Sequence, residues 1–426
     1  MVNTKRREFM KIAAGLGAMS ALGAWPRFAF GADNSALSTQ RVVMNSYPTK
    51  DNDFMRGWAR GVEEASAALN MVYRDAVYNQ STEQQRASIE NAPLNSIEAM
   101  VVLFYDAASS TEMMNLAQQT GIAAANNWSN AAWNTPLDIG EMYCAYQTSN
   151  DVIGTQLSVE AMFEAIGGKG KFVNIIGIPG NSASDMRQEG VHRALKKYPG
   201  IEMVAEVSGG FNRGGTLPVM EGVLASHSKI DAVYCASDDS AIGAITALEA
   251  RKMQALVTSV DGIPELLDLI KQGRAYQTLA LTGGWFSAYS TVRVFDKLNG
   301  IATSVPESML YAGTILLDTP DSAAGYKALT FEEPKFPFDY TLMSKALNPD
   351  SWDPQNILAP LDPAELWSTD SWNKQEKPAG YELPEAYKTM RTDGSFDKTK
   401  QTYADHFKKD PYKQVRDATR NKKLIV

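Results

Sequence analysis

Cysteine and histidine are scarce in this sequence of 426 residues, and its basic residues are outnumbered by acidic ones. The two cysteines, Cys144 and Cys235, each sit inside an apolar run, so two buried unpaired thiols are expected rather than a disulfide. The three histidines (His192, His227 and His406) have no metal-ligand spacing between them, and no metal site or cofactor is expected. A net charge of −8 provides no basic face for a phosphate backbone, which argues against nucleic acid as a partner. What is present is ordinary globular material, 44% hydrophobic and 21% charged, in a chain long enough for two or three domains.

The first residues are set apart. Lys5-Arg6-Arg7-Glu8-Phe9-Met10-Lys11 is a charged segment with paired arginines, followed by a mild apolar run over residues 12–25 and small residues at 29–32. The run is shorter than the roughly 20 residues a membrane span needs. Residues 1–32 resemble a twin-arginine signal peptide, which implies export. No cysteine lies near the cleavage region, so a lipid anchor is not expected. Cleavage there would leave a mature chain with a net charge of −12.

Between residues 169 and 262, apolar runs predict strands over 171–176, 201–207, 230–236 and 255–260, separated by segments whose apolar residues recur at helical spacing. The first half repeats the rhythm. A strand over 41–47 is followed by a helix carrying Phe54, Trp58, Val62, Ala65 and Leu69, and further strands are expected at 70–73, 97–105 and 121–125. Ser81-Thr82-Glu83-Gln84 looks like a helix-capping segment. Alternating strands and helices imply parallel sheets covered on both faces, with ligand crevices beyond the carboxyl ends of the strands. The expected fold class is α/β, with two doubly wound parallel-sheet lobes.

Several segments, in order, carry a resemblance. They are Asn52-Asp53-Phe54-Met55 before Gly61, the helix from Gln85 to Glu90, Gly167-Gly168-Lys169-Gly170-Lys171, Arg187-Gln188-Glu189-Gly190, Ser237-Asp238-Asp239-Ser240, and Val260-Asp261-Gly262-Ile263-Pro264. Over about residues 41–312 the chain resembles the type I periplasmic solute-binding proteins of sugar ABC transporters, the ribose- and galactose-binding branch. The resemblance implies a three-segment hinge near Tyr146, Leu281 and Tyr311, with lobe 1 at 40–146 and 282–312 and lobe 2 at 147–281. Residues 313–426 would then be a C-terminal extension. It holds 10 of the 19 prolines with Trp352, Trp367 and Trp372, and its apolar runs are too short for a core of their own. Loops and short helices strapped onto the lobes are expected there.

A sugar needs carboxylates and amides for its hydroxyls, Arg for paired donation and aromatics for its C–H faces. By resemblance, Asp261 and Arg187 bind ligand, Phe54 and Phe211 sandwich it, and Asn52 and Asp238 contribute contacts; Trp128, at a position that departs from the family pattern, is also expected to contact the ligand. For Asp261 the alternative is a helix cap, and for Arg187 a surface salt bridge. Departures from the family pattern stand at Leu103, at Asn126-Asn127-Trp128, at Leu281, at Ser237 and at Ser149-Asn150. They replace polar anchors and leave a polyol, a deoxy sugar or a more apolar solute open beside an ordinary sugar. The implied function is a periplasmic, non-enzymatic receptor that delivers its solute to an inner-membrane ABC permease. A sensor feeding a chemoreceptor or kinase is the alternative reading. An enzyme is disfavoured because Asp238-Asp239, the one adjacent acidic pair in a likely crevice, points its side chains apart.

Overall fold

A computed structural model describes residues 35–426 apart from Thr369 and Lys374, so the expected signal peptide lies outside the described residues. Among those residues, β1 (Arg41–Tyr47), β2 (Met71–Val77), β3 (Ala99–Leu103), β4 (Ala123–Asn127) and β5 (Tyr143–Ser149) form a parallel sheet in the order β2-β1-β3-β4-β5. A second sheet holds β6 (Lys169–Ile176), β7 (Gly200–Ser208), β8 (Ala232–Cys235), β9 (Leu256–Asp261) and β10 (Gln277–Ala280) in the equivalent order β7-β6-β8-β9-β10. Each sheet reverses its strand order once, between β1 and β3 and between β6 and β8. These are the switch points at which open α/β sheets bind ligands.

The helices follow from capping and apolar stripes. In the first sheet's layer, α1 (Asp53–Ala68) starts at Asn52, whose side chain accepts from the Met55 N–H, and it buries Trp58, Val62 and Ala65. Next, α2 (Thr82–Glu90) starts at Ser81, whose hydroxyl accepts from the Gln84 N–H. Around the second sheet lie α3 (Asp151–Ala165), α4 (Ser182–Lys197), α5 (Arg213–Ser226), α6 (Asp238–Ala250) and α7 (Pro264–Lys271). The chain then returns to the first sheet as α8 (Gly283–Leu298), which packs against α1 so closely that a Cβ on Gly61 would lie 2.2 Å from the Gly284 carbonyl oxygen. Cys144 and Cys235 are free and buried.

The first passage between sheets falls after Ser149, since Tyr146 still lies within β5 and donates its N–H to Ser308. The second occurs at Thr282, which takes a left-handed conformation (φ +50°), and the third separates β11 (Met309–Ala312, first sheet) from β12 (Ile315–Leu317, second sheet). The residues beyond 312 thus join both sheets: β12 pairs antiparallel with β10, and β13 (Leu358–Pro360) pairs antiparallel with β11. After β12 come α9 (Pro320–Lys327) and a longer helix, α10 (Ser395–His406), joined by loops and short turns. No helix of the described residues is long and apolar enough to cross a membrane.

Candidate functional site

A cavity of about 510 Å³ lies between the two sheets. Its lining comes from the segments that leave the carboxyl ends of the strands: 48–55 after β1, 103–105 after β3, Trp128 and Ser129 after β4, Ile178 and Asn181 after β6, and Ser237 after β8. Gly210–Arg213 after β7, Asp261 at the end of β9 and Leu281 after β10 complete the wall. Both switch points therefore open into one space, as the sheet order requires.

Four lining residues with side chains, Gln80 (φ +61°), Trp128 (φ +57°), Phe211 (φ +58°) and Asp261 (φ +134°), hold positive φ angles that L-residues seldom adopt. Such strain persists where the surroundings impose it, and it gathers at ligand clamps. The means of imposing it are visible. Phe211 has its ring laid on the backbone of Gly177, where a Cβ would come within 2.1 Å of the ring. The turn after Asp261 is pinned by two N–H bonds, from Gly262 and Ile263, to the Asp238 carboxylate at 2.7 and 2.8 Å.

Arg187 is the charged centre of the second lobe's wall. Its Nε donates to Asp151 Oδ2 at 2.8 Å and its Nη1 to the Ala236 carbonyl at 2.6 Å, with both Arg187 and Asp151 buried. Its guanidinium carbon lies 5.7 Å from the centre of the Phe211 ring. Burial alone would lower the Arg187 pKa, but Asp151 and then Asp261 raise it, so the charge is kept. Ser149 joins the network by donating to Asp151 while accepting from Trp128 Nε1 at 3.0 Å. Asp261 is half-buried, with its open side on the cavity, and one of its oxygens accepts from the Asp238 N–H at 3.3 Å. Burial raises its carboxyl; Arg187 pulls it down and Asp238 pushes it up, leaving it well above the usual carboxylate range.

The first lobe supplies the aromatic wall. Trp128 packs on Phe286 (centroids 4.5 Å apart), on Phe54 (5.5 Å, edge to face) and on Trp58 (5.7 Å), so it faces the cavity with its back to the core. Asn52 spends its Oδ1 on capping α1 and keeps its amide N–H₂ for the cavity. Across the cleft, Asn181 donates to the Tyr105 carbonyl at 2.8 Å and to the Ser129 hydroxyl, and Ser182 donates to the Asn130 carbonyl at 2.9 Å. The lobes are in contact along this edge.

Asn52, Phe54, Trp128, Arg187, Phe211 and Asp261, six of the seven residues singled out from the sequence, line this one cavity. Asp238 does not, and its expected role is corrected. It is fully buried and accepts from Ser259 Oγ (2.6 Å), Thr278 Oγ1 (2.7 Å) and the two backbone N–H groups that shape the Asp261 turn. It is the residue that positions Asp261. The reading of the sequence also missed Asp151 and Asn181. Asp151 lies two residues beyond Ser149, one of the departures from the family pattern, and only the buried Ser149–Asp151–Arg187 chain reveals it.

A family model described as periplasmic binding protein domain matches residues 43–299, more than half of the chain. The chain belongs to this family. Among curated relatives, this periplasmic binding protein is 25% identical to a D-apiose import binding protein of Actinobacillus succinogenes over 278 residues, 65% of this chain and 87% of that one. It is 27% identical to a xylitol-binding protein of Mycolicibacterium smegmatis, over 68% of this chain and 82% of that one. Among solved structures, an ABC transporter solute-binding protein of Bacillus halodurans with bound myo-inositol matches with a TM-score of 0.60 and 26% identity, covering 68% of this chain and 98% of that one. One from Actinobacillus succinogenes with bound D-allose matches at 0.61 and 25%, covering 67% and 100%. These relatives and neighbours are binding proteins. Residues beyond 299 lie outside the family match.

Proposed function

We propose that the chain is an exported receptor that binds a sugar or polyol between its lobes and hands it to an ABC permease in the inner membrane. The observation that carries this reading is the cavity itself. A buried Arg187–Asp151 pair and the Asp261 carboxylate stand on one lobe, opposite the Phe54–Trp128 aromatic wall of the other. A solute that touches both walls binds the closed arrangement better than the open one and shifts the population toward it. Arg187, Asp261 and Asn52 are assigned to its hydroxyls, Phe54, Trp128 and Phe211 to its C–H faces. The ligands of the relatives, D-apiose and xylitol, and of the neighbours, D-allose and myo-inositol, support the solute class.

Thermal unfolding of the mature protein against pentoses, hexoses, deoxy sugars, polyols and inositols tests the binding. A ligand at about a hundred times its Kd stabilises the native state by roughly 2.7 kcal/mol. Absence of any shift across the whole panel would sink the proposal. Delivery is tested by deleting the gene and following uptake of the solute so identified, and periplasmic export by replacing Arg6 and Arg7 with Lys, which should leave the precursor inside the cell.

A further inference from the structure

Most polar groups on the cavity wall already have partners. Asn181 uses its Oδ1 to cap α4 and its N–H₂ to bridge to the first lobe, and Asn212 caps α5 while donating to the Gly210 carbonyl. Ser237 is taken by Ser240, and Arg213 and Asp239 pair with each other at the rim. Within the cavity this leaves Arg187 Nη2, the second oxygen of Asp261, the Asn52 and Gln80 amides, the Ser129 hydroxyl proton and the Tyr105 hydroxyl. Much of the rest of the lining is apolar, on both lobes: Met55, Leu103 and Phe104 beside Asn52 and Tyr105, and Ile178, Ala183 and Leu281 beside Arg187 and Asp261. A sugar with a hydroxyl on nearly every carbon would bury several without partners, which is costly. A volume of about 510 Å³ also falls within the ~300–1,000 Å³ range of sites for drug-sized ligands.

We infer that the solute carries a diol that meets Arg187 and Asp261 together with an apolar group that meets Leu103 and Leu281, as in a deoxy sugar or the glycoside of a small apolar alcohol. This rests on the receptor reading above. Titration calorimetry with L-fucose, L-rhamnose, methyl and phenyl β-D-glucopyranoside, D-glucose, D-galactose, xylitol and myo-inositol separates the two claims. The expected result is binding of at least one deoxy or alkylated compound about 10–100-fold tighter than its fully hydroxylated counterpart, a ratio that Leu103→Asn and Leu281→Gln reduce. Equal or tighter binding of D-glucose, D-galactose or the polyols overturns the apolar group and leaves the receptor standing. Binding of none of these compounds overturns both.

A second inference rests on different observations. Three passages join the lobes up to β12, and the chain then passes between them twice more. From α9, where Lys327 pairs with Asp268 of α7 at 2.6 Å, it returns to the first lobe: the Thr330 carbonyl accepts from Arg60 at 3.1 Å and the Phe336 N–H donates to Glu64 at 3.0 Å. From α10, whose Tyr403 accepts from Arg293 of α8, it goes back to the second, where Tyr412 and Val415 enter that lobe's core. In between, Leu366 and Trp372 pack together with Ala132 of the first lobe and with Val152 and Met186 of the second. Bonds tie this bridge at both ends, Ala132 N–H to Gln375 Oε1 at 2.9 Å and Arg193 Nη2 to the Asp370 carbonyl at 2.8 Å. Any rotation that separates α4 from the loop after β4 must pull the bridge off one of them.

The geometry points to a C-terminal segment that holds the lobes closed without ligand. Cys144 and Cys235 are buried, so spin labels can be placed at the exposed positions Leu94 in the first lobe and Met203 in the second through Leu94→Cys and Met203→Cys. In protein stripped of ligand by unfolding and refolding, the interlobe distance should form one narrow population. Trp372→Ala combined with Gln375→Ala should add a longer one, and Arg193→Ala, which cuts a bond at the edge of the bridge, should do so to a lesser degree if the double variant does not fold. A broad or two-peaked distribution in the unaltered protein, or unchanged distances in the folded variants, overturns the inference.

Discussion

Arg187 and Asp151 meet at 2.8 Å with both side chains buried, so the cationic centre of the candidate site is also part of the protein's framework. Removing the arginine strands a carboxylate that no solvent reaches, which typically costs about 3–5 kcal/mol. Arg187→Ala should therefore lower stability by about that amount and abolish solute binding, and loss of binding alone could be misread as loss of a contact. The double replacement Arg187→Met with Asp151→Asn removes the charge problem. It should recover most of the denaturation midpoint while calorimetry still shows no binding. Recovery of binding in that double variant would show that Arg187 acts only through Asp151.

Gly177 gives a cleaner separation of site from framework. Its missing side chain is where the Phe211 ring lies, at a Cβ distance of 2.1 Å, and Phe211 is only partly buried. Gly177→Ala should push the ring off the cavity wall at a cost in stability of about 1 kcal/mol, within the ordinary range for one substitution. Affinity for the solute should fall at least tenfold. An unchanged Kd would remove Phe211 from the binding wall.

How much of this was legible in the sequence depends on what positions each residue. The two sheets follow from local pattern, since a strand such as Ala232–Cys235 is buried on both faces and is bounded by capped helices. The cavity residues were read mainly from the family resemblance; five of the six sit at strand ends or helix starts, and Arg187 lies in the second turn of α4. Asp238 and Asp261 both lie where a strand gives way to a helix, and only three-dimensional neighbours distinguish them. Ser259 and Thr278, from adjacent strands, reach Asp238 and close it off. The bridging role of Trp372 was illegible for a related reason. Its partners Ala132, Val152 and Met186 are far away in the chain, and no local spacing encodes their meeting.

Glu307 should contribute to the acid limb of stability. Burial alone would raise its carboxyl, but Arg293 and Lys345 draw it down to about 2, below an unfolded value near 4.3. A depressed folded pKa contributes stability that is present above the unfolded value and is lost as pH falls through the folded one, so the loss runs from about pH 5 to pH 2. The shift corresponds to at most roughly 3 kcal/mol, and the net is smaller because burial and Arg293 push the Lys345 pKa down. Glu307→Gln should flatten this limb in denaturation midpoints measured from pH 2 to pH 6. An unaltered limb would assign the acid sensitivity elsewhere.

Asp238 should act with the opposite sign. Burial raises its carboxyl, hydrogen bonds from Ser259, Thr278, Ile263 and Gly262 restrain the rise, and it settles at about 7. The folded protein then holds a proton that the unfolded chain releases near pH 4, so stability should fall as pH climbs from about 4 through 7. The two hydroxyls explain why the protonated form is tolerated. Ser259 and Thr278 can turn from donors to acceptors, while the Gly262 and Ile263 N–H groups keep the other oxygen. An amide satisfies the same four neighbours. Asp238→Asn should therefore reduce this slope, leaving the part that Asp261 contributes, with less than about 1 kcal/mol lost at pH 5, whereas Asp238→Ala, which strands all four groups, should lose about 3 kcal/mol or more. Because the Asp261 turn hangs on those two N–H bonds, Asp238→Ala should also weaken solute binding although Asp238 lines no part of the cavity. Calorimetry on the folded Asp238→Ala protein decides the point: full affinity would mean that Asp261 holds its strained conformation without Asp238.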